Sequence, residues 1–535
     1  MNRALLGILV AAAVLFFAGL GRPTLFDQDE AKYTQVAREI LQTGDPFTLQ
    51  VNGRPWFVHP PLYFWLVAAT GWVLGFSEFS ARIWSAIFGL LGAYVTYLVG
   101  TRLFSPRAAL LGVAVLVSTF QYFAQARLAV FDGVLLAFML LAVYAFLRAR
   151  DSDAVHVVYV GLWTGLGTLT KGPIALLLPA LVVVAFLLLR RERPQIPGRA
   201  LAAAAAVYVL VALPWYVIET VRHGLPFVRT VIGYYTVNRF LGVVEGQSGP
   251  WWYYGPVLAL GAFPWTAFAL AMVPFHLGRR GTDGSPFVLL WVAVTLAFYT
   301  AAGTKLPNYA LPVYPALGLG VGALWDAALR GEARARRLVR WSLGGTAIAL
   351  VLFAAELVVF SRLKYPEYLA AMQRHLVVVG AVLSAWLLVG VILYAVGRPR
   401  ASFTVLAGST WVLAAFLVFQ TLPLIEARRP IKPVAAAVRA SLTPGTPLVG
   451  FRISDHQTLL FYTNHPVLWL EDVPEVVSLA CRMSRVVVVG RPNDLREAQG
   501  ALATVGTVTP VITTDELAAV ALRRSDTCRK IPGPQ

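Results

Sequence analysis

Apolar runs long enough to cross a membrane recur along the first 425 residues of the chain. Each is about 20 residues long and is followed by a short polar segment, which is the pattern of a polytopic helical membrane protein. A shorter apolar segment, 61–75, is predicted to lie at the membrane surface or to re-enter the membrane. The pattern predicts about 13 transmembrane helices, over residues 4–20, 81–103, 108–122, 126–147, 155–170, 172–189, 200–217, 252–275, 286–302, 306–326, 341–360, 375–397 and 402–424.

The periodicity changes after residue 425. Short β-type runs at 447–453 and 486–490 alternate with helical patterns at 433–442 and 494–503, which is typical of a small soluble α/β domain. The predicted fold is therefore an all-α polytopic membrane domain, residues 1–425, followed by a soluble α/β domain, residues 426–535.

Composition supports this interpretation: 58% of the residues are hydrophobic, only 13% are charged, and the mean hydropathy is +0.67. A net charge of +18 would indicate nucleic-acid binding in a soluble protein. Here the arginines fall in alternate short loops, so we predict that they set the topology and that no nucleic acid is bound. They place the N-terminus in the cytoplasm and the C-terminal domain outside, as in a protein of the bacterial inner membrane.

The opposite side of the membrane receives the loops 21–80 and 218–251 and the C-terminal domain. Residues 4–20 are predicted to be a transmembrane helix, because Gly21-Arg22-Pro23 is a poor site for signal-peptide cleavage. The only two cysteines, Cys481 and Cys528, lie near the C-terminus. They either pair in an oxidising compartment or stay unpaired, and no Cys/His spacing typical of a metal site occurs.

The segment 27–32 carries three acids and a lysine in six positions. It begins a predicted surface helix, 27–41, in which Asp29, Lys32 and Tyr33 share a face. One interpretation is structural, because Asp27 and Glu30 have the spacing of a capping box. The other is functional, since a cap does not explain why Asp29 and Lys32 share a face in so charge-poor a chain.

Asp132 is predicted to lie about two turns inside the outer end of a span, where an ionisable residue indicates function. The structural alternative is a salt bridge, for example with Arg127. Lys171 and Lys305 fall in two further outer turns, which opposes the positive-inside bias. They are either snorkelling anchors or ligands of an anion such as a lipid phosphate.

The loop 218–251 contains Asn238-Arg239-Phe240 and Glu245 and leads into the aromatic run 250–254. These aromatics belong either to the interfacial belt or to a sugar-stacking surface. His59, before Pro60-Pro61, is either a phosphate contact or an ordinary polar loop residue.

Taken in order, these motifs resemble the membrane glycosyltransferases of GT-C type, in particular the group of the lipid A aminoarabinose transferase and the protein O-mannosyltransferases. The resemblance covers about residues 1–425, and the order and topology of its motifs are more specific than any one of them. The motifs are Asp29-Glu30 with Tyr33, His59-Pro60-Pro61-Leu62, Ala126-Arg127-Leu128 with Phe131-Asp132, Thr170-Lys171-Gly172-Pro173, Pro250-Trp251-Trp252-Tyr253-Tyr254 and Lys305-Leu306-Pro307-Asn308-Tyr309.

The resemblance implies sugar transfer outside the membrane from a polyprenyl phosphate donor to an envelope acceptor such as lipid A, another glycolipid or a protein. It implies that Asp29 takes the place of the catalytic acidic residue of the first outer loop, as the candidate general base, and that Asp132 matches the second acidic position. Contacts to the donor or its phosphate are expected from Lys32, Tyr33, His59, Arg127, Lys171, Lys305 and Tyr309, and Glu30 is grouped with the catalytic acids.

One departure concerns a metal. The aminoarabinose transferase has Glu-Lys before its loop proline, with the glutamate linked to a bound metal, whereas this chain has Val58 and His59. We therefore assign no metal ligand, leave a divalent metal open, and do not assume aminoarabinose or lipid A as substrates. The alternative functions are a polyprenyl-lipid transporter or flippase, for which no inverted repeat is evident, and a membrane scaffold for the C-terminal domain.

Overall fold

The computed structural model describes residues 3–151, 155–279, 281–364 and 366–525. It divides into two compact units. The first contains residues 1–20, 57–66 and 82–421, and the second contains residues 21–56, 67–81 and 422–535. This division differs from the predicted one, because most of the first outer loop belongs to the same unit as the C-terminal residues.

The membrane region is built from helices whose apolar side chains pack into one large core, with Phe16, Trp265, Tyr314 and Trp325 fully buried in it. Its helices are Arg3–Phe17, Leu62–Leu74, Glu78–Leu103, Pro106–Val117, Phe120–Gln125, Asp132–Asp151, His156–Lys171, Ile174–Arg190, Gly198–Val228, Arg239–Leu241, Tyr254–Gly261, Thr266–Leu277, Gly284–Ala301, Val313–Leu329, Ala333–Lys364, Pro366–Ala395 and Pro399–Phe416, with π-helical turns at Arg229–Asn238 and Leu417–Thr421 and a 3₁₀ turn at Pro307–Ala310.

Among the described residues, six helices are long and apolar enough to cross a membrane, or seven if one bent pair counts as a span. The chain is therefore an integral membrane protein, mostly helical, as the sequence predicted. The count of about 13 spans stays a prediction. Several of the other predicted spans coincide with shorter apolar helices, namely Arg3–Phe17, Pro106–Val117, Ile174–Arg190 and Val313–Leu329.

The predicted span over 252–275 is not a single straight helix, and whether it crosses the membrane stays a prediction. The structure has two helices there, Tyr254–Gly261 and Thr266–Leu277, bent by 108°. Pro264 lies in the break, and proline kinks or breaks a helix because it has no backbone N–H to donate and its ring clashes with the preceding turn.

The predicted position of Asp132, two turns inside its helix, was wrong. Residues 126–131 form tight turns, in which the Arg127 N–H donates to Ala124 O and the Val130 N–H donates to Leu128 O. The helix therefore begins at Asp132 rather than two turns earlier. This position favours a carboxylate, because the N-terminus of a helix carries a partial positive charge.

The second unit contains a sheet of five strands, β3 (Leu448–Phe451), β4 (Val467–Leu470), β5 (Arg485–Gly490), β6 (Gly506–Thr513) and β7 (Ala518–Arg524), in the order β4-β3-β5-β7-β6. The pairs β3–β4 and β3–β5 are parallel, and β7 is antiparallel to both β5 and β6. Buried Val, Leu and Ile side chains cover both faces of this sheet. The helices of this part of the unit are Leu422–Glu426, Ile431–Ser441, Gln457–Thr463, Val473–Arg482 and Pro492–Val505.

The first outer segment contributes the helix Asp29–Thr43 and a short hairpin, β1 (Gln50–Val51) and β2 (Arg54–Pro55), to the second unit. Buried Glu39 joins the two, since its carboxylate accepts hydrogen bonds from the backbone N–H groups of Asn52 and Gly53 at 2.7 and 3.0 Å. Cys481 lies in the helix Val473–Arg482, whereas Cys528 is outside the described residues, so their pairing stays a prediction.

Candidate functional site

The first unit brings Asp132 and Lys171 together. The helices Asp132–Asp151 and His156–Lys171 are consecutive and packed, so the start of one lies beside the end of the other. The Lys171 ammonium donates to Asp132 Oδ1 at 2.5 Å, and the amide of Asn308 donates to Oδ2 at 2.9 Å. Both residues of the ion pair are largely buried, so the predicted salt bridge of Asp132 exists, but its partner is Lys171 rather than Arg127.

Aromatic rings surround the Lys171 ammonium. Its nitrogen lies 4.9 Å from the ring centroid of Phe131 and 5.0 Å from that of Tyr309, distances at which a cation is attracted to a π-face. Tyr309 packs against Tyr299, and the half-buried His59 packs against Phe131 with ring centroids 4.5 Å apart. The sequence-predicted residues His59, Lys171 and Tyr309 are therefore close neighbours of Asp132.

Arg239 joins this cluster, although its sequence context alone predicts no role for it. Its Nε donates to the hydroxyl of Tyr309 at 2.7 Å, and its Nη2 donates to Gln247 Oε1 at 2.7 Å. A carboxylate oxygen of Glu245 lies 3.9 Å from the Nη1 atom of Arg239. The signal available in the sequence was the triplet Asn238-Arg239-Phe240 in an outer loop, but only the folded loop shows that this guanidinium reaches Tyr309.

Two other predicted residues are engaged elsewhere. Arg127 donates to three backbone carbonyls at and just beyond the end of the helix Arg3–Phe17, at 2.8 to 2.9 Å. It therefore satisfies carbonyls that a helix end leaves without an intrahelical partner. Lys305 is buried and donates to the carbonyl of Ala302 at 2.7 Å, so its ammonium stabilises its own turn.

Asp29, Glu30, Lys32 and Tyr33 all lie in the second unit, in the first turns of the helix Asp29–Thr43. Asp29 is exposed, Lys32 is half-buried and Tyr33 is buried. Buried Glu30 accepts a hydrogen bond from the Phe26 N–H at 2.9 Å, which holds the chain at the start of the helix.

Asp27 is not the helix cap that the sequence suggested. The residue before the helix is Gln28, with φ 65° and ψ −93°, and no side chain caps the helix at this position. Asp27 instead forms an ion pair with Arg429 at 2.8 Å and accepts hydrogen bonds from the backbone N–H and the hydroxyl of Thr458. It fastens the outer segment to the C-terminal part of the same unit.

The described residues contain no group of three or more His, Cys, Asp or Glu side chains arranged to hold a metal ion. Within the first-unit cluster, both oxygens of Asp132 already accept hydrogen bonds from Lys171 and Asn308. The chemistry that this cluster offers is therefore that of cations and donors: an ammonium, a guanidinium, an amide and a tyrosine hydroxyl, which together suit an anionic ligand such as a phosphate.

Comparison with known proteins identifies relatives along most of the chain. A family model described as dolichyl-phosphate-mannose-protein mannosyltransferase matches residues 58–218. The undecaprenyl phosphate-alpha-4-amino-4-deoxy-L-arabinose arabinosyl transferase 1 of Pseudomonas fluorescens is 30% identical over 389 residues, which cover 71% of this chain and 69% of that protein. An enzyme of the same name from Pseudomonas aeruginosa is 29% identical over 419 residues, covering 77% and 74%.

The crystal structure of ArnT from Cupriavidus metallidurans bound to undecaprenyl phosphate has the same fold, with a TM-score of 0.82 over 99% of both chains at 23% identity. The predicted resemblance is thus confirmed, and the comparisons favour an enzyme over the transporter and scaffold alternatives. The chain belongs to the family of the undecaprenyl phosphate-alpha-4-amino-4-deoxy-L-arabinose arabinosyl transferases and is a membrane glycosyltransferase of GT-C type.

Proposed function

We propose that this enzyme transfers a sugar from an undecaprenyl-type phosphate donor to an envelope acceptor on the outer face of a bacterial inner membrane. The acceptor is lipid A, another glycolipid or a protein. The donor class rests on the relatives, which are named for undecaprenyl phosphate-linked aminoarabinose. The orientation rests on the arginine-rich loops, which place Asp132 and Lys171 at the outer ends of their helices.

The observation that carries the proposal is the position of Lys171. An ammonium has three N–H donors, and the described contacts of Lys171 direct one of them to Asp132. Asp132 fixes the ammonium at the end of its helix, while Phe131 and Tyr309 lie around it. A donor phosphate bound there would receive a charge-assisted hydrogen bond, and the same bond would stabilise the phosphate as it leaves.

Arg239 is the second proposed phosphate ligand. Its guanidinium is held by Tyr309 and Gln247 through two hydrogen bonds, and a guanidinium has five N–H donors in a planar fork. Tyr309 therefore links the two cations, since it bonds Arg239 and lies over Lys171. His59 and Lys32 stay proposed donor contacts, whereas the contacts of Arg127 and Lys305 favour structural roles.

Asp29 stays the proposed general base. In the reaction, the acceptor oxygen bonds the anomeric carbon, the bond from that carbon to the phosphate oxygen breaks, and the acceptor proton passes to a carboxylate. Asp29 is exposed at the first position of its helix, next to Gln28. The φ and ψ of Gln28 lie in a rare, strained region for a residue with a side chain, and such strain is concentrated at functional sites.

The proposal is tested by reconstituting the purified protein in liposomes with defined undecaprenyl phosphate sugars. We expect the release of undecaprenyl phosphate to depend on an added acceptor, and to be strongly reduced by Lys171→Met. Mass spectrometry of envelope lipids and proteins with and without the protein identifies the sugar and the acceptor. Normal turnover in the Lys171→Met protein would contradict the phosphate site, and the absence of transfer from every polyprenyl donor would contradict the proposed reaction.

A further inference from the structure

A cleft opens between three helices of the first unit, Pro106–Val117, Val313–Leu329 and Pro399–Phe416. Its volume is about 410 Å³, within the range of pockets that bind small ligands. Apolar side chains form part of its wall, and two guanidinium groups stand at the start of two of the helices. The lining residues are Arg107, Leu111, Leu329, Arg400, Phe403 and Thr404.

The charge around this cleft is positive. Asp326 is almost completely buried and is 3.4 Å from Arg107 and 2.8 Å from Arg330. The positive charge of these two arginines is larger than the negative charge of the one carboxylate, and Arg400 adds a further exposed cation. Asp326 therefore fixes the position of Arg107 without neutralising the cluster, which leaves a surplus of positive charge beside apolar surface.

The cleft lies at the opposite end of the first unit from the Asp132–Lys171 pair. Arg102, five residues before Arg107, forms an ion pair with Asp151 at 3.3 Å. Asp151 ends the helix that Asp132 begins, and a helix of 20 residues is about 30 Å long. The cleft therefore belongs to the arginine-rich end of the helices, which the positive-inside rule places at the cytoplasmic surface.

From this arrangement we infer that the cleft binds an anionic phospholipid of the cytoplasmic leaflet. The phosphate meets Arg107 and Arg400, and an acyl chain lies along Leu111, Leu329 and Phe403. Basic pockets between transmembrane helices on the cytoplasmic side suit lipids of this charge. The occupant is a lipid rather than a free phosphate, because an apolar wall lies next to the guanidinium groups. An acyl chain would cover this wall, whereas a soluble anion would leave it exposed to water.

The test measures lipid binding to the full-length protein in detergent by native mass spectrometry and thermal shift, using cardiolipin, phosphatidylglycerol, phosphatidylcholine and inorganic phosphate. Anionic lipids are expected to bind and raise the melting temperature, and Arg400→Gln to weaken this binding about fivefold, the factor for about 1 kcal/mol per arginine. Thr404→Trp, which fills the cleft from an exposed position, is expected to reduce binding while keeping every charge.

Arg199→Gln is the matched control, because Arg199, like Arg400, is an exposed second residue of a long helix but does not line the cleft. It is expected to bind anionic lipid as the unmodified protein does. Equal stabilisation by phosphatidylcholine or by inorganic phosphate would overturn the inference, as would equal losses in the Arg199→Gln and Arg400→Gln proteins. Unchanged binding in both the Arg400→Gln and the Thr404→Trp proteins would overturn it as well.

Discussion

Asp27 and Asp132 both pair with a cation, but only the pair of Asp132 lies beside further hydrogen-bond donors that a ligand could use. Asp27 binds Arg429 and Thr458, which are about 400 residues away in the sequence and belong to the same unit. These contacts join two parts of a fold. Asp132 binds Lys171 and Asn308 at helix ends, next to Tyr309 and the guanidinium of Arg239.

The difference shows that a carboxylate–cation pair does not by itself indicate function in this chain. Asp27 is surrounded by protein donors and connects elements of the second unit, so its loss should cost stability. The cluster around Asp132 sets the cations Lys171 and Arg239 beside the hydroxyl of Tyr309, so its donors suit an added anion. Substitutions at the two sites separate these two roles.

The largest expected effect is that of Asp29→Asn on transfer. Asn keeps the size and shape of the side chain but cannot accept the proton of the acceptor hydroxyl. The rate of single-turnover transfer should fall by roughly 10²–10⁴-fold, the usual contribution of a positioned base. Donor binding should stay normal, because the proposed phosphate ligands are unchanged. Near-normal transfer by a folded Asp29→Asn protein would remove Asp29 from the mechanism.

Lys171→Met comes next, with Lys432→Met as its control. The first change removes a charge-assisted hydrogen bond to the donor phosphate, so donor affinity or turnover should fall by about 1.5–3 kcal/mol. Lys432 also pairs with a carboxylate, Glu78 at 2.6 Å, but belongs to the second unit and is half-exposed, so its loss should leave donor affinity unchanged. Donor titrations of the two proteins measure this contrast, and equal effects would return Lys171 to a structural role.

Asp27→Asn should affect stability instead. It leaves the buried guanidinium of Arg429 without its carboxylate, which should cost about 1–3 kcal/mol. Asp472→Asn is the control, because Asp472 is an exposed residue before the helix Val473–Arg482 and Asn caps a helix as well as Asp. Temperature-dependent proteolysis of residues 431–525 compares the two proteins. Equal resistance would show that Asp27 is no stronger a link than a surface acid.

The smallest expected effect is a pH dependence of the second unit. Burial alone would lower the pKa of His456, but a hydrogen bond with Asp455 and the carboxylate of Glu516, 3.7 Å away, outweigh it and raise the pKa to about 9. The protonated imidazole of His456 thus adds its full stability below pH 6.5, which is the pKa of histidine in the unfolded chain. This stability is lost as pH rises through about 9. The apparent melting temperature from the same proteolysis assay should fall by roughly a few degrees between pH 6.5 and 9.5.

His456→Gln should remove most of that pH dependence, because Gln does not titrate, and should leave sugar transfer at neutral pH close to normal. A pH dependence that persists in this variant would assign the effect to other groups of the unit.

The membrane helices were predictable because a helix in lipid must be apolar along about 20 residues whatever it packs against. The α/β character of the C-terminal residues was predictable for a similar reason, since strand and helix periods differ. The predicted helix boundaries were wrong where turns in the backbone, rather than the apolar pattern, set the ends of a helix. The break near Pro264 and the start of the helix at Asp132 are both set by turns that an apolar run conceals.

The candidate site divides in the same way. Charge in a charge-poor chain was enough to single out Asp29, Asp132 and Lys171, since an ionisable group in or near a membrane must be compensated. The partners of these groups depended on contacts between residues far apart in the chain. Only the folded structure shows that Arg239 donates to Tyr309 and that Lys171 rather than Arg127 pairs with Asp132. The same is true of the ion pair between Asp27 and Arg429.

The sequence by itself thus determined that the chain is a helical membrane protein, which residues carry charge in it and which family it resembles. The tertiary structure decided which of those charged groups stabilise the fold through ion pairs, and which lie in a cluster with further hydrogen-bond donors. The physical reason is that hydropathy and helical period act over neighbouring residues, whereas an ion pair requires two groups to meet within about 4 Å. That meeting is set by how helices and loops pack, as Asp132 and Lys171 show.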